Sequence, residues 1–174
     1  QCTSQTLEIE LEDICGGLSV TLLYGVFPEL DVITRSAVVK NTGTGNIFLE
    51  AVQSACLDFV GGEYDLIQFY GRHAMERNYQ RSPILHGAMV IGSRRGTSSP
   101  QYNPFVIASE RGANEDHGDC YGMSFVYSGN FSCEAEKDQF NQTRLLLGLN
   151  EELFSYPLAA GETFTVPEVI LSYS

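Results

Sequence analysis

Leu7-Glu8-Ile9-Glu10-Leu11-Glu12 is apolar at every odd position and acidic at every even one. A repeat of two sends successive side chains to opposite faces of a strand, so one face meets a core and the other meets water. Cys15-Gly16-Gly17 follows, and then Leu18-Ser19-Val20-Thr21-Leu22-Leu23-Tyr24 resumes an extended, β-branched pattern. The two segments are expected to form a hairpin. The same grammar continues outward. Val32 to Lys40 is a third strand candidate, closed by the turn residues Asn41-Thr42-Gly43-Thr44-Gly45-Asn46. Ile47 to Phe59 is expected to be one long strand with a bulge or bend, ended by Gly61-Gly62. Further candidates are 64–70, 73–80, 85–91, 105–109, 121–127, 131–136, 144–149 and 163–172. No window carries a helical stripe, and seventeen glycines punctuate the chain. Pro28, Pro83, Pro104 and Pro157 fall near strand ends, where a missing ladder donor is tolerated. Many short strands with frequent turns predict an all-β fold, an antiparallel sandwich or barrel, in one domain over residues 1–174.

The chain has 174 residues, 22 acidic and 10 basic, for a net charge of -12. At 43% hydrophobic and 18% charged it is not a disordered chain. Its acidity opposes nucleic acid and anionic membranes as partners, and no apolar run approaches the ~18 residues of a membrane-spanning helix. The charge is uneven. Arg72, Arg77, Arg81, Arg94 and Arg95 lie within 28 residues that hold Glu76 as their only acid. Arginine's planar fork suits bidentate pairing and interfaces. The cluster serves either internal ion pairs with the acidic flanks or a subunit or ligand surface.

The cysteines are Cys2, Cys15, Cys56, Cys120 and Cys133, an odd number without CxxC spacing. Cys56, in Val52-Gln53-Ser54-Ala55-Cys56-Leu57, is expected to be a small buried thiol. A disulfide among the others is open, and sequence selects no pair. These features point to a reducing compartment and a cytoplasmic location, with secretion as the alternative. His73, His86 and His117 lie far apart without ligand spacing, so no metal or cofactor is expected. Asn114 to Asp119 is acidic but lacks a calcium-loop pattern and reads as a solvated turn. No Walker sequence, nucleophile elbow or assignable carboxylate pair is found.

One stretch stands apart: Tyr70-Gly71-Arg72-His73-Ala74-Met75-Glu76-Arg77-Asn78. Glycine beside a phenol, a guanidinium and an imidazole lets polar and aromatic groups project from a tight turn. Such a turn can contact a sugar through hydrogen bonds and ring stacking; the alternative is a strand corner with an Arg–Glu pair.

Four segments carry a resemblance. Asp31-Val32-Ile33-Thr34-Arg35-Ser36 is similar to the N-V-I-T-R-S strand of the N-terminal domain of glycoside hydrolase family 36 α-galactosidases. So are Phe69 to Arg77, Ser93-Arg94-Arg95-Gly96-Thr97-Ser98-Ser99 with Asn103-Pro104-Phe105, and Tyr121 to Phe131. The order and spacing hold from about Leu7 to Tyr173. The resemblance implies a large two-layer antiparallel β-sandwich, a supersandwich of the galactose-mutarotase kind. It implies a fragment of a longer chain whose (β/α)8 barrel would follow and would hold both catalytic carboxylates. The activity implied for that parent is retaining hydrolysis of terminal α-galactosides of melibiose or raffinose type. The domain would assist a homo-oligomer, a homotetramer in most relatives, and would lend the loop at Tyr70–Arg77 to a neighbouring subunit's sugar site. His73, Arg72 and Tyr70 are then the substrate-side candidates. Arg77, Glu76, Arg94 and Arg95 are candidates for loop or interface support, the arginines through ion pairs. Many relatives carry Trp where this chain has His73, and this chain has no Trp. Pro100 also departs from a His frequent in relatives. The alternative function is a free-standing carbohydrate-binding sandwich; a self-sufficient mutarotase-type enzyme is a more distant one.

Overall fold

The alternating segments pair as a hairpin, but the core expected against the apolar face of the first is absent: Leu7, Ile9 and Leu11 stay exposed. In the structure, a computed structural model that describes residues 3–174, β1 (Gln5–Asp13) pairs with β2 (Leu18–Phe27). Leu7 faces Tyr24, Ile9 faces Leu22 and Leu11 faces Val20. Glu8, Glu10 and Glu12 therefore share the opposite face. β1 is an edge strand, and its carboxylate row discourages pairing with a second β1. β2 continues into β3 (Val32–Asn41), which pairs with β14 (Thr163–Tyr173). β10 (Cys120–Phe125), β9 (Tyr102–Glu110), β6 (Tyr64–Arg72) and β7 (Met75–Pro83) complete an eight-stranded antiparallel sheet.

A four-stranded sheet lies over its middle: β5 (Gln53–Phe59), β12 (Thr143–Leu149), β11 (Phe131–Lys137) and β8 (Gly87–Ser93). A small ribbon, β4 (Ile47–Leu49) with β13 (Tyr156–Leu158), caps one flank. The fold is an all-β antiparallel sandwich, and among the described residues no helix occurs.

The main core forms where the two larger sheets meet. Leu66, Val106, Met123 and Val169 from the large sheet pack on Phe131, Cys133, Leu145 and Leu147 from the small one. A second cluster places Leu158 and Val52 on Ala37, Val39 and Val166. In β14, Val166 opposes Ala37 and Val169 opposes Arg35. Pro167 and Glu168 thus share one partner, Ser36, in a bulge. The bulge keeps both valines inward and leaves the proline without a ladder bond to make.

The sandwich buries one ammonium. Lys137 is buried, with Nζ 2.7 Å from the Glu63 carboxylate. Glu63 also receives Arg111 at 2.8 Å, and Arg81 meets Asp65 at 2.7 Å. Arg81 donates further to the carbonyls of Ala113 and Glu110. Two members of the five-arginine segment, Arg81 here and Arg94 with Glu152, are therefore spent on internal ion pairs. The hydrogen bond from Lys137 is the largest cause holding the Glu63 carboxyl below its ordinary range.

Four further points of the sequence reading need correction. Residues 47–59 form two strands in different sheets, because Glu50 to Val52 carry the chain from the β4 ribbon to the small sheet. The strand expected to begin at His73 begins at Met75, and His73 is a turn residue. β13 is an additional strand; at three residues it is too short to show a period. Cys56 is exposed rather than buried. The register shifts between Leu147 and Gly148, so Ser54 is an extra residue in β5. Ser54 and Ala55 are both buried, and the phase reverses at Cys56. Cys15, Cys56, Cys120 and Cys133 are free thiols; Cys2 lies outside the described residues. Burial pushes the Cys133 thiol up to about 12.

This packing has measurable consequences. Phe131→Ala empties the meeting point of the sheets, and urea unfolding should show a loss of about 3–5 kcal/mol. A carboxyl held low stabilises the fold above the ordinary glutamate range, and that contribution fades as pH falls through the lowered value. Glu63→Gln should therefore be less stable than wild type at pH 7, with the gap closing below about pH 4.

Candidate functional site: one open end of the sandwich

β6, β8, β10 and β12 end, and β9 and β11 begin, at the same end of the sandwich. The segment Arg94–Gln101 crosses this end from β8 to β9. It is held in place by its own polar groups. Ser93 Oγ donates to the Thr97 carbonyl at 2.7 Å, and the Gly96 N–H donates to Asn130 Oδ1 at 2.7 Å. The Ser98 N–H donates to the Ser128 carbonyl at 2.8 Å. The segment divides the end into two grooves.

The first groove, about 460 Å³, runs between the β6–β7 strands and this segment. It is lined by Gln68, Tyr70, Gly71, Arg72, Gln80, Arg95, Gln101 and Tyr102. Through Arg72, Arg95 and Gln101 it adjoins a depression of about 390 Å³ that adds His73, Glu76, Thr97, Ser99 and Pro100. Tyr70, Arg72, His73, Glu76 and Arg95, selected from sequence, are thus brought together. Arg94 and Arg77 are not. Arg94 turns to the other groove and pairs with Glu152. Arg77 lines neither groove, and among the described residues it makes no ion pair. Arg95 makes no ion pair either among those residues. Its guanidinium lies 5.3 Å from the Tyr102 ring centroid and donates to Gln101.

The projecting corner is set by its backbone. β6 and β7 turn through His73 and Ala74. A Cβ on Gly71 would sit 2.5 Å from the Met75 carbonyl oxygen, so only glycine permits this approach. Ala74 is left-handed at φ 63, and Arg77 at φ 58. Glu76 Oε1 accepts the Ala74 N–H at 3.0 Å, and Asn78 Nδ2 donates to the Met75 carbonyl at 2.8 Å. Arg72 meets Met75 Sδ at 3.0 Å. The Arg–Glu pair, the alternative for this corner, does not form; Glu76 braces the backbone instead. His73 is left exposed at the tip.

Sequence reasoning missed Gln68, Gln80, Gln101 and Tyr102. Gln68 stands opposite Gln80 and shares its face with buried Leu66. Two amides in register on an inward face are the available signal that the inner face is uncovered there. The groove offers phenols, guanidinium groups and amides, the chemistry that suits a neutral polyhydroxylated ligand. Glu76 is its only carboxylate, so it lacks the paired carboxyl groups that glycoside hydrolysis uses. Among the described residues no cluster of metal-ligating side chains occurs.

Comparison with known proteins gives this geometry a family. The family described as "Glycosyl hydrolase family 36 N-terminal domain" matches residues 1–159. The bifunctional alpha-galactosidase/sucrose kinase AgaSK of Mediterraneibacter gnavus is 71% identical over 98% of this chain and 18% of its own length. Its solved galactosidase domain superposes with a TM-score of 0.95, covering 24% of that structure. Alpha-galactosidase AgaA of Geobacillus stearothermophilus is 43% identical over 98% of this chain and 24% of its own length. Its structures, with a TM-score of 0.95, include complexes with raffinose and with stachyose. A putative aldose 1-epimerase of Escherichia coli, 14% identical with a TM-score of 0.55, shares the fold alone. The chain spans between 18% and 24% of the length of the curated relatives it matches. By sequence and by fold, the chain belongs to the N-terminal domain family of glycosyl hydrolase family 36.

Proposed function

We propose that this chain is the N-terminal β-domain of a retaining α-galactosidase acting on terminal α-D-galactosyl residues of melibiose- or raffinose-type oligosaccharides. It assists assembly of a homo-oligomer, a tetramer by preference, and lends the His73 corner to the sugar site of a neighbouring subunit. One observation carries the reading. The polar groups gather on a braced, projecting corner beside an open groove, and a single carboxylate lines that groove. Such a corner can orient a ligand but cannot cleave it alone. Retaining hydrolysis needs two carboxyl groups about 5–5.5 Å apart, and these belong to the rest of the longer protein. The raffinose and stachyose complexes of the Geobacillus relative support the substrate class.

His73 Nδ1 or Nε2 and the Arg72 guanidinium are the hydrogen-bonding groups at the tip, with Tyr70 set back along β6. One hydrogen bond to a neutral hydroxyl contributes about 0.5–1.5 kcal/mol. In the longer protein, His73→Ala should raise KM for raffinose roughly threefold to tenfold, with kcat and melting temperature little changed. An aryl galactoside, which has no extended sugar to reach the corner, should keep its KM. A KM left unchanged for both substrates would remove the role from His73.

A further inference from the structure

Of the two grooves at this end, the second, about 650 Å³ and walled by Tyr127, Phe154, Tyr156 and Phe164 with Leu153 (φ 62) at its rim, bears no mark of its occupant. The corner beside the first groove carries a group that the sugar-facing role leaves unused, the thioether of Met75. The chain has three methionines. Met123 is fully buried and Met89 half-buried, whereas Met75 is 49% exposed.

Its position is fixed from the backbone outward. Met75 opens β7 and stands opposite Arg72 across the turn. Its carbonyl accepts Asn78 Nδ2 at 2.8 Å and is approached closely by Gly71, and the preceding Ala74 N–H is held by Glu76. With the backbone held, Sδ lies 3.0 Å from Arg72 Nη2. Glu76 is engaged with the Ala74 N–H, and among the described residues the thioether is the one hydrogen-bond partner of the Arg72 side chain. A neutral sulfur is a weak acceptor, so the guanidinium remains free to turn towards the depressions it lines.

We propose that Met75 is a modification site, oxidised to its sulfoxide by hydroperoxides, and that the sulfoxide ties up Arg72 and so weakens the hold of this corner on a sugar. In the oxidation, Sδ attacks the terminal oxygen of the peroxide. The S–O bond forms as the O–O bond breaks, and sulfur gives up two electrons. The proton of the transferred oxygen passes to the departing one, which leaves as water or an alcohol. Negative charge gathers on that departing oxygen. The Arg72 guanidinium, permanently charged and already beside the sulfur, donates to it there. The product puts a polar S–O oxygen in place of a weak acceptor, and a hydrogen bond from a charged donor is about twice as strong as a neutral one. Arg72 is then held at the corner rather than offered to the groove. The modification site stands on the geometry of the corner alone; its effect on a sugar rests on the reading of His73 and Arg72 as substrate-side groups.

In the longer protein treated with dilute hydrogen peroxide, peptide mapping should show Met75 gaining an oxygen before Met89, and Met123 last. Arg72→Gln should slow the gain at Met75 and leave Met89 unchanged, a dependence that exposure alone does not produce. Once Met75 has converted, KM for raffinose should rise roughly threefold. A methionine sulfoxide reductase with dithiothreitol should reverse the rise, and Met75→Leu should make KM indifferent to peroxide. Met75 converting no sooner than Met89, or at an unchanged rate in Arg72→Gln, overturns the modification site. A KM that peroxide does not move, while His73→Ala does raise it, overturns the effect on Arg72. If neither moves it, the substrate-side reading of the corner falls and the effect on the sugar with it, while the mapping still decides the modification site.

Discussion

Four strands cannot cover eight. The core depends on burying the inner face of the large sheet, and the small sheet reaches only its middle. Leu66, Val106 and Met123 are dry because Phe131 and Leu147 press on them. Further along the same face stand Gln68 and Gln80 towards β7, and Arg35 with Tyr24 on the other flank, whose groups bond at 3.2 Å, while beyond them Leu7, Ile9 and Leu11 remain exposed. The β4–β13 ribbon closes part of the gap. The grooves are thus consequences of unequal sheet width, and the side chains lining them follow from which face is left open.

The open end of the sandwich is marked by rigidity rather than reactivity. The β6–β7 corner and the turn at Leu153 both carry non-glycine residues in the left-handed region, and both are braced by side-chain hydrogen bonds to the backbone. Between them runs Arg94–Gln101, stitched by Ser93, Ser98 and Asn130. Its two arginines serve opposite sides: Arg95 lies over Tyr102 in the polar groove, and Arg94 ties the Leu153 turn. Neighbouring residues alternate across the partition, which is why Arg94 and Arg95, adjacent in sequence, face different grooves. The same segment joins the polar corner to an apolar groove.

Much of this architecture is legible in the order of residues. The strict alternation of Leu7–Glu12 specifies a two-faced strand in a hairpin, although its apolar face, Leu7, Ile9 and Leu11, stays exposed at the sheet edge rather than meeting the core. The glycines mark the turns. What misleads is phase. Alternation assumes an unbroken register, and the extra residue Ser54 reverses it, turning Cys56 to solvent. Residues 47–59 look like one strand because composition does not reveal a change of sheet. At the site, Tyr70, Arg72 and His73 stand out by residue type around Gly71. Gln101 and Tyr102 do not, because their role depends on where an irregular segment crosses the end of the sandwich. Leu153 is invisible: an exposed leucine is ordinary in sequence, and only its φ makes it an anomaly.

The central claim is that this domain works by presenting one end to other parts of a larger protein. Hydrogen–deuterium exchange, compared between the 174-residue chain and the longer protein, tests it most directly. The account predicts new protection confined to the segments at that end, Tyr70–Arg77, Arg94–Gln101 and Glu151–Tyr156, with β1 and the outer face of the large sheet unchanged. Protection that gathered on β1 or the outer face, and left those three segments exchanging as in the isolated chain, would contradict it.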